Sequence, residues 1–584
     1  MKSYRWKFRS VEDSVDVADL ARALNDLPEP LARALVLRGV RSFESARKYF
    51  RPDSIALHDP FMMLGMREAA ARLARAVSDA EAILVYGDYD VDGVTSTALM
   101  VSFLRELGAC VDFFIPDRNR HGYGLTSAGV DEVIARDPSL VVALDCGIKA
   151  VEPSRRLAHA RIDLIVCDHH TAADTLPDAV AILDPKQPNC KYPYKNLSGC
   201  GVGFKLAQAT LVQMNRDADA AMGLVDFVAV SIASDIVAMD GENRVLMRAG
   251  LEALRERPRL GWRALAAATR VNLRECSTRQ IVFGLAPRIN AAGRLADAQQ
   301  AVELLLATDA DRARSLAEDL ETLNNERREI DRRTLVAAES EARRLLESRD
   351  RVSIVLHDSD WHAGVIGITA SRLVETFYLP TVMLTTVDGV AKGSARSIEG
   401  VNVYEMLEAC SDLLLRFGGH DYAAGMQLDI DDVPAFRDQF DQAVRAALQP
   451  EDLVPALHID AAVSLSDIDG RFWAVLKQFE PFGPANSSPV FANDDLQVVG
   501  RPSLVGKERT HLRFSVRQGN DGSIMPAIGF GMASLADVLA LSQREGRKIE
   551  MAFSIDENRY NGRNSLQLRP RDIRIASETA RRSA

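Results

Sequence analysis

The chain has 584 residues, 47% hydrophobic and 26% charged, with 71 basic against 82 acidic residues and a formal net charge of −11. That length exceeds what one hydrophobic core supports and implies three or four domains of ordinary globular composition. The acidic balance argues against a protein that coats nucleic acid by bulk charge, and any phosphate would have to be held by local basic groups. No apolar run approaches the roughly 20 residues that cross a bilayer, and the basic N-terminal stretch lacks the apolar segment of a signal peptide. Seven cysteines without a CxxC pair point to a reduced cytoplasm rather than a disulfide framework or a zinc ribbon.

In chain order, residues 1–55 read as a small helical extension (DVADLARALNDLPEPLARALVLRG). From 56 to 305, short apolar strands alternate with helical segments: EAILVYG, ACVDFFIPD, PSLVVALDCG, RIDLIVCDHH and AVAILDP. This rhythm marks a parallel α/β sheet. Residues 306–350 lie in a stretch without glycine or proline, with Leu316, Leu320, Leu323, Ile330 and Ala337 on a four–three spacing, which predicts one long connecting helix. A smaller α/β domain follows over 351–453. Period-two runs over 454–576, such as THLRFSVRQ and IEMAFSID, suggest a β barrel or sandwich. Residues 577–584 read as a frayed tail. The fold class is therefore α/β multidomain with a C-terminal β domain.

Strands of the first α/β domain end in acid: Asp88, Asp117, Asp145 and Asp168. In GDYDVDG, Asp88, Asp90 and Asp92 alternate, so an extended chain would crowd three charges onto one face, which is costly unless they are paired. Asp145, the Asp168-His169-His170 triplet and Asp235, in an apolar stretch, add carboxylates and imidazoles without a thiolate. That donor set suits Mn²⁺, with Mg²⁺ or Zn²⁺ as alternatives, and two such ions would serve phosphoryl displacement. Each element alone has a plainer reading: Asp235 as a helix cap or ion-pair member, the histidines as a turn, Asp88 as a loop brace through backbone amides, Asp117 as a turn residue. Their agreement at one sheet edge favours metal.

GDYDVDG, ALDCGI, CDHH and ASDIV, in this order, resemble the four motifs of the DHH phosphoesterase superfamily. YGDYDVDG, LSGCGVGFKLAQA and APRINAAGR are similar, within it, to the RecJ family of single-strand-specific 5′→3′ exonucleases. The resemblance implies a parallel-sheet DHH domain, a DHH-associated domain and an oligonucleotide-binding-fold barrel. It implies two divalent ions, Mn²⁺ preferred over Mg²⁺, held by Asp90, Asp92, Asp145, His169 and Asp235, with Asp145 bridging. His170 would then approach the scissile phosphate, and Asp88 and Asp168 would orient the ligands. The implied reaction is in-line hydrolysis that expels the 3′ oxygen and releases 5′-mononucleotides, in recombination and repair.

The resemblance also points to Ser394 and Arg396, in AKGSARSI, as a grip for a terminal phosphate; the residues alone would read as a polar strand-end turn. Arg288 and Arg294, placed on a loop before the connecting helix, are expected to contact the strand rather than form surface ion pairs. Arg118 and Arg120, with Tyr123, could contact phosphate and stack on a base, or form a solvated loop. His362 and His420 would face the cleft between the two α/β domains or serve as structural histidines. Lys507, Arg509, His511 and Arg513 are read as alternating basic residues on one barrel strand. Expected partners are single-stranded DNA, a single-strand-binding protein and a helicase, with no membrane and a monomeric state. The alternatives are a DHH phosphoesterase of short oligonucleotides or cyclic dinucleotides, which would not need the barrel, and a replication scaffold that has lost its ligands, which the complete ligand set disfavours.

Overall fold

A computed structural model of the chain describes residues 4–12, 16–51, 57–118, 120–348, 350–519, 522–560 and 563–576. They fold as two compact units, residues 54–453 and residues 1–53 together with 454–584. The tail over 577–584 lies outside the described residues. The N-terminal segment carries β1 (Arg5–Phe8), α1 (Val17–Ala23), α2 (Glu29–Val36) and α3 (Phe43–Phe50). Read as a separate extension from sequence, it instead shares a core with the C-terminal barrel. Leu31 and Leu35 of α2 are buried in one cluster with Phe479, Phe491 and Phe553, because helices this short cannot bury their apolar faces alone.

The larger unit begins with five wholly parallel strands, β2 (Ile83–Tyr86), β3 (Val111–Phe114), β4 (Leu140–Leu144), β5 (Asp163–Cys167) and β6 (Ala181–Leu183), in the order β3-β2-β4-β5-β6. The central strands are buried on both faces, as a sheet covered by helices requires. The chain leaves β2 to one side for β3 and then returns to the other side for β4. The carboxyl ends of β2 and β4 therefore flank a topological switch point, where such sheets open a crevice. Helices α4 (Val91–Glu106), α5 (Gly199–Gln213) and α6 (Val225–Ser234) join the main core, and α7 (Ala286–Leu295) precedes the long helix.

That helix, α8 (Ala310–Ser348), belongs to both α/β domains. Ala313, Leu316, Ala317 and Leu320 lie in the first core, Ala338 and Ala342 in a core of the second. The expected stripe needs one correction: Ala337 is exposed, and the buried line runs through Asn324, Asp331 and Thr334 to Ala338. An apolar periodicity passes over Asn324 and Asp331 because they are polar. Asp331 is buried against Arg372, 3.0 Å away, and Thr369.

The second α/β domain has a mixed sheet of β7 (Ile354–His357), β8 (Thr381–Val387), β9 (Val390–Arg396), β10 (Arg416–His420) and β11 (Ala423–Leu428), in the order β10-β11-β9-β8-β7, with α9 (Ile366–Phe377) packed against it. In the smaller unit β12 (Ala456–Ile459) pairs parallel with β1. After β13 (Ala461–Ala462) come β14 (Phe491–Val505), β15 (His511–Gln518), β16 (Ile524–Gly529), α10 (Ala536–Glu545), β17 (Ile549–Tyr560) and β18 (Arg563–Ile575). Pairing of β14 with β17 closes a five-stranded barrel. Of the four basic residues assigned to one strand, only His511 and Arg513 lie on β15. Lys507 and Arg509 sit in the hairpin before it, where Arg509 has a φ of +53° and Gly506 of +90°, so the glycine that turns the chain ends the alternation.

Replacing Leu35 by Ala should destabilise the barrel-containing unit by about 2–5 kcal/mol. Limited proteolysis should then cut within 454–576 sooner while 57–453 stays protected.

Candidate active site

Asp88, Asp90 and Asp92 do not share the face of an extended chain. The strand ends at Tyr86, and Asp90 caps α4, its Oδ1 accepting from the backbone N–H of Asp92 (2.9 Å) and Gly93 (3.2 Å). This makes Asp92 a first-turn residue, turned inward against α5 and α6. Its Oδ2 accepts from Gly199 N (2.7 Å), and its Oδ1 from Cys200 N (2.8 Å) and Ser231 Oγ (2.7 Å). The start of a helix supplies such free N–H donors. Sequence reasoning missed Ser231, which carries no motif signal of its own.

Asp145 follows β4 in a left-handed conformation, φ +60°, with its backbone N–H bonded to Cys167 O across the sheet. A Cβ on Gly199 would stand 2.7 Å from the Cβ of Asp145, so glycine is what lets α5 approach. Asp168 closes β5 and is fully engaged. Its carboxylate accepts from Ile148 N (2.9 Å), from His169 N (2.7 Å) and from His170 N (3.1 Å), and its Oδ1 lies 2.7 Å from His170 Nδ1. Burial would raise its pKa, but the bonds and charge of His170 and the backbone donors carry it down to about 2. Burial works to lower His170, and the bond and charge of Asp168, helped by Asp92 and Asp90, outweigh it and raise the imidazole above its usual value. The outer nitrogen, Nε2, lies 3.2 Å from the Tyr123 hydroxyl.

The remaining groups lack partners. His169 Nε2 lies 3.2 Å from Asp145 Oδ1, 3.5 Å from Asp235 Oδ2 and 3.8 Å from Asp92 Oδ2. Burial holds His169 down at about 4, so the imidazole is neutral and these are not ion pairs. Both of its ring nitrogens, Asp145 Oδ1, Asp235 Oδ2 and Asp88 Oδ1 are buried without a hydrogen bond. Burial and then neighbouring carboxylates raise Asp90, and push Asp145 and Asp235 well above the usual range; Asp88 is raised to about 8. Among the described residues, three overlapping sets of donor atoms each lie within 4.8 Å of one another: Asp88, Asp90 and Asp145; Asp92, His169 and Asp235; Asp145, His169 and His170. Orphaned carboxylate and imidazole atoms facing each other at short range fit divalent cations and little else. Asp184, at the end of β6, is a further buried carboxylate raised to about 7 by burial, its Oδ1 on Lys186 N (2.7 Å). Asp117 is a turn residue, accepting from Arg120 N.

A cationic cluster stands nearby in the same unit. Ser394 and Arg396 belong to β9, Arg396 as its last residue, rather than to a turn after it, with Arg396 Nη1 donating to Ser394 Oγ (2.8 Å). A Cβ on Gly367 of α9 would meet both side chains at about 3 Å, 2.9 Å from Ser394 Oγ and 3.0 Å from Arg396 Nη2. Arg294 lies on helix α7 rather than a loop, and its Nη1 donates to Gly364 O of the second α/β domain (2.9 Å). Burial, then Arg118, Arg327 and Arg396, lower it to about 10. Arg118 stacks over Tyr89, 5.4 Å from the ring centroid. Arg327, on α8, was missed among the many arginines of that helix. Arg288, whose charge also lowers Arg327, is already paired: its Nε and Nη2 clasp the carboxylate of Glu321 at 2.6 and 3.3 Å, an ion pair that sequence could not place because it joins two helices. His420, at the end of β10, is lowered by burial and then by the charges of His170, Lys149 and Lys186, so it lies within electrostatic reach of His170. His362 accepts from Gly364 N and is lowered by burial and Arg118.

Comparison with known proteins follows this division. Residues 82–232 match the DHH family, N-terminal domain, residues 351–446 the DHHA1 domain and residues 459–572 the RecJ OB domain. The single-stranded-DNA-specific exonuclease RecJ of Bacillus subtilis (strain 168) is 37% identical over 98% of this chain and 71% of its own length. The crystal structure of RecJ in complex with Mn²⁺ from Thermus thermophilus superposes with a TM-score of 0.81 at 30% identity, covering 98% of this chain and 79% of that one. The structure with Mg²⁺ from the same organism gives 0.75 at 28% identity, over 98% and 78%.

Changing Asp168 to Asn removes the hydrogen bond and charge that do most to lift His170, leaving the weaker pull of Asp92 and Asp90. The imidazole pKa should then fall, as histidine NMR titration would read; an unchanged value would mean that another group holds it.

Proposed function

Because the chain belongs to the RecJ family, we propose that it is a single-stranded-DNA-specific exonuclease that works 5′→3′ and releases 5′-mononucleotides. One observation carries the reading beyond family membership: a buried carboxylate–imidazole cluster with orphaned oxygens and ring nitrogens, and a cluster of arginines, lie in the same unit, one suited to cations and the other to phosphate. Asp90, Asp92, Asp145, His169 and Asp235 would hold two divalent ions, Mn²⁺ in preference to Mg²⁺. When bound, such ions supply charge neutralisation at the phosphate and a lowered pKa for water.

The chain's own residues divide the remaining work. Arg118, Arg294, Ser394 and Arg396 would grip the 5′ phosphate through charge-assisted hydrogen bonds. Asp168 fixes the His170 ring by its Nδ1, leaving Nε2 to carry a proton to the 3′ oxygen as the P–O3′ bond breaks. Asp88 braces the loop that presents Asp90. Tyr123 and His420 would border the nucleotide. In this reading the enzyme acts in the cytoplasm as a monomer, in recombination and repair, on strands opened by a helicase and covered by single-strand-binding protein.

The test is a long DNA oligonucleotide, single-stranded or duplex, labelled at either end and incubated with Mn²⁺ beside Asp145→Ala. Early release of 5′-labelled mononucleotide from the single strand alone, absent in the variant, is expected. Survival of the long strand with cleavage of dinucleotides would install the small-substrate alternative. Arg396→Ala should cut the preference for a 5′-phosphorylated over a 5′-hydroxyl end by about 10-fold, measured as a ratio of kcat/KM.

The carboxylates also predict a pH effect. An unfolded Asp titrates near 3.9, whereas Asp88 folds with a pKa of about 8. The metal-free fold therefore binds extra protons between those values and loses stability as pH rises through that window. Mn²⁺ replaces those protons, so it should raise Tm more at about pH 8 than at about pH 5.5. Equal increments would show that the ion binds elsewhere.

A further inference from the structure

Three glycines stand where the carboxylate loop, the arginine-bearing helix and the strand of Ser394 and Arg396 come together, and backbone freedom does not account for them. Gly293, Gly364 and Gly367 all lie outside the left-handed region. Gly293 is buried within α7, directly after Ala291 and Ala292, where glycine costs about 1 kcal/mol against alanine. What each position lacks is room. A Cβ on Gly293 would stand 2.3 Å from the carbonyl oxygen of Tyr89, the residue between Asp88 and Asp90. A Cβ on Gly364 would stand 2.7 Å from Arg294 O and 3.1 Å from the His362 ring. Gly367 is the position that fits against Ser394 and Arg396.

These contacts join end to end. Tyr89 rests on Gly293, and Arg294 is the next residue along α7. Arg294 meets Gly364 twice, through its own carbonyl and through Nη1 donating to Gly364 O (2.9 Å). Gly364 belongs to a turn closed by its N–H on His362 Nδ1 (3.0 Å) and by Val365 N on His362 O (2.9 Å). That turn runs into α9, whose second residue is Gly367. From the loop that presents Asp90 to the helix that backs Arg396, the spacing is set mainly by backbone against backbone rather than by long side chains. Contacts packed this closely have low compressibility and pass a displacement on.

We propose that Gly293 and Gly364 are positioning residues that fix the spacing between the arginine cluster and the carboxylate cluster, and so set the length of the fragment released. The proposal rests on the exonuclease reading, in which the arginines hold a terminal phosphate. A strand held at one end of this connection presents one particular phosphodiester bond to the other end. Neither glycine touches DNA; each acts through the carbonyl it admits, that of Tyr89 or that of Arg294. An added methyl group at either position forces the two clusters apart while leaving the groups within each in place.

The test compares Gly293→Ala and Gly364→Ala, in the full chain, with Gly261→Ala. A Cβ on Gly261 would also stand 2.3 Å from a backbone carbonyl, that of Leu304, in a contact that joins neither cluster. With a 5′-phosphorylated oligonucleotide and Mn²⁺, kcat should fall by about 100-fold in the first two variants with KM unchanged, and dinucleotides should appear among the earliest products. A 5′-hydroxyl end, which leaves the arginines unengaged, should lose much less. The clash in Gly364→Ala lies away from the carboxylate loop. Its Mn²⁺ affinity, read by electron paramagnetic resonance, and its affinity for the labelled strand in EDTA, read by anisotropy, should therefore match those of the unsubstituted protein. Gly261→Ala should lower Tm and keep both kcat and product length. Should Gly293→Ala fail to fold, Gly364→Ala decides alone. Mononucleotides as the sole early product of Gly364→Ala overturn the proposal while the exonuclease reading stands, and so do dinucleotides released equally by Gly261→Ala. If the unsubstituted protein releases nothing from single-stranded DNA, the exonuclease reading itself falls.

Discussion

Mutual repulsion among carboxylates at the carboxyl ends of β2 and β4 is the constraint around which the larger unit is arranged. Two like charges about 4 Å apart cost on the order of 4 kcal/mol at an effective dielectric near 20, and Asp88, Asp90 and Asp145 bring donor atoms within 4.8 Å. The fold meets part of this cost with its own donors. Asp92 takes the first N–H groups of α5 and the Ser231 hydroxyl, and Asp168 takes three backbone N–H groups beside His170. Asp168 is thereby bound to scaffold, while Asp92 is fixed with its Oδ2 still near His169 and Asp235. Asp145 and Asp235 each keep a buried oxygen with no donor, and the residual charge is left for something outside the chain.

The arginines show the same logic with the sign reversed. Arg118, Arg327 and Arg396 each help to depress Arg294, so this group too is held in a state that an external ion would relieve. One ligand class answers both needs, a phosphodiester chain accompanied by divalent cations. Glycine makes the geometry available at two points. Gly199 admits the helix start that carries donors to Asp92, and Gly367 leaves room for Ser394 and Arg396.

The strands, the long helix and the acidic strand ends were legible in the sequence because burial on both faces and helical spacing leave direct apolar signatures. The carboxylates of GDYDVDG, ALDCGI, CDHH and ASDIV do meet, yet the route by which they meet was not legible. Alternation suggested an extended face, and the structure instead starts a helix at Val91 with Asp90 as its cap. Residues whose role depends on a distant partner left no local trace: Ser231 on Asp92, Arg288 on Glu321, Arg327 beside Arg294. The same limit hid the joining of the first 53 residues to the barrel, since short amphipathic helices reveal that they need cover but not what covers them.

That joining has a consequence for biosynthesis. Residues 31 and 35 leave the ribosome early, but the core that receives them includes Phe479, Phe491 and Phe553. Translation proceeds at about 5–20 residues per second, so an interval of roughly 450 residues leaves this apolar surface waiting for about 20–90 s. Throughout that time the residues of the larger unit emerge and can fold as a body of their own. A segment made before the whole of the larger unit is thus among the last to find its place, and a nascent chain stalled before residue 479 would display α2 as an unburied handle for chaperones and proteases.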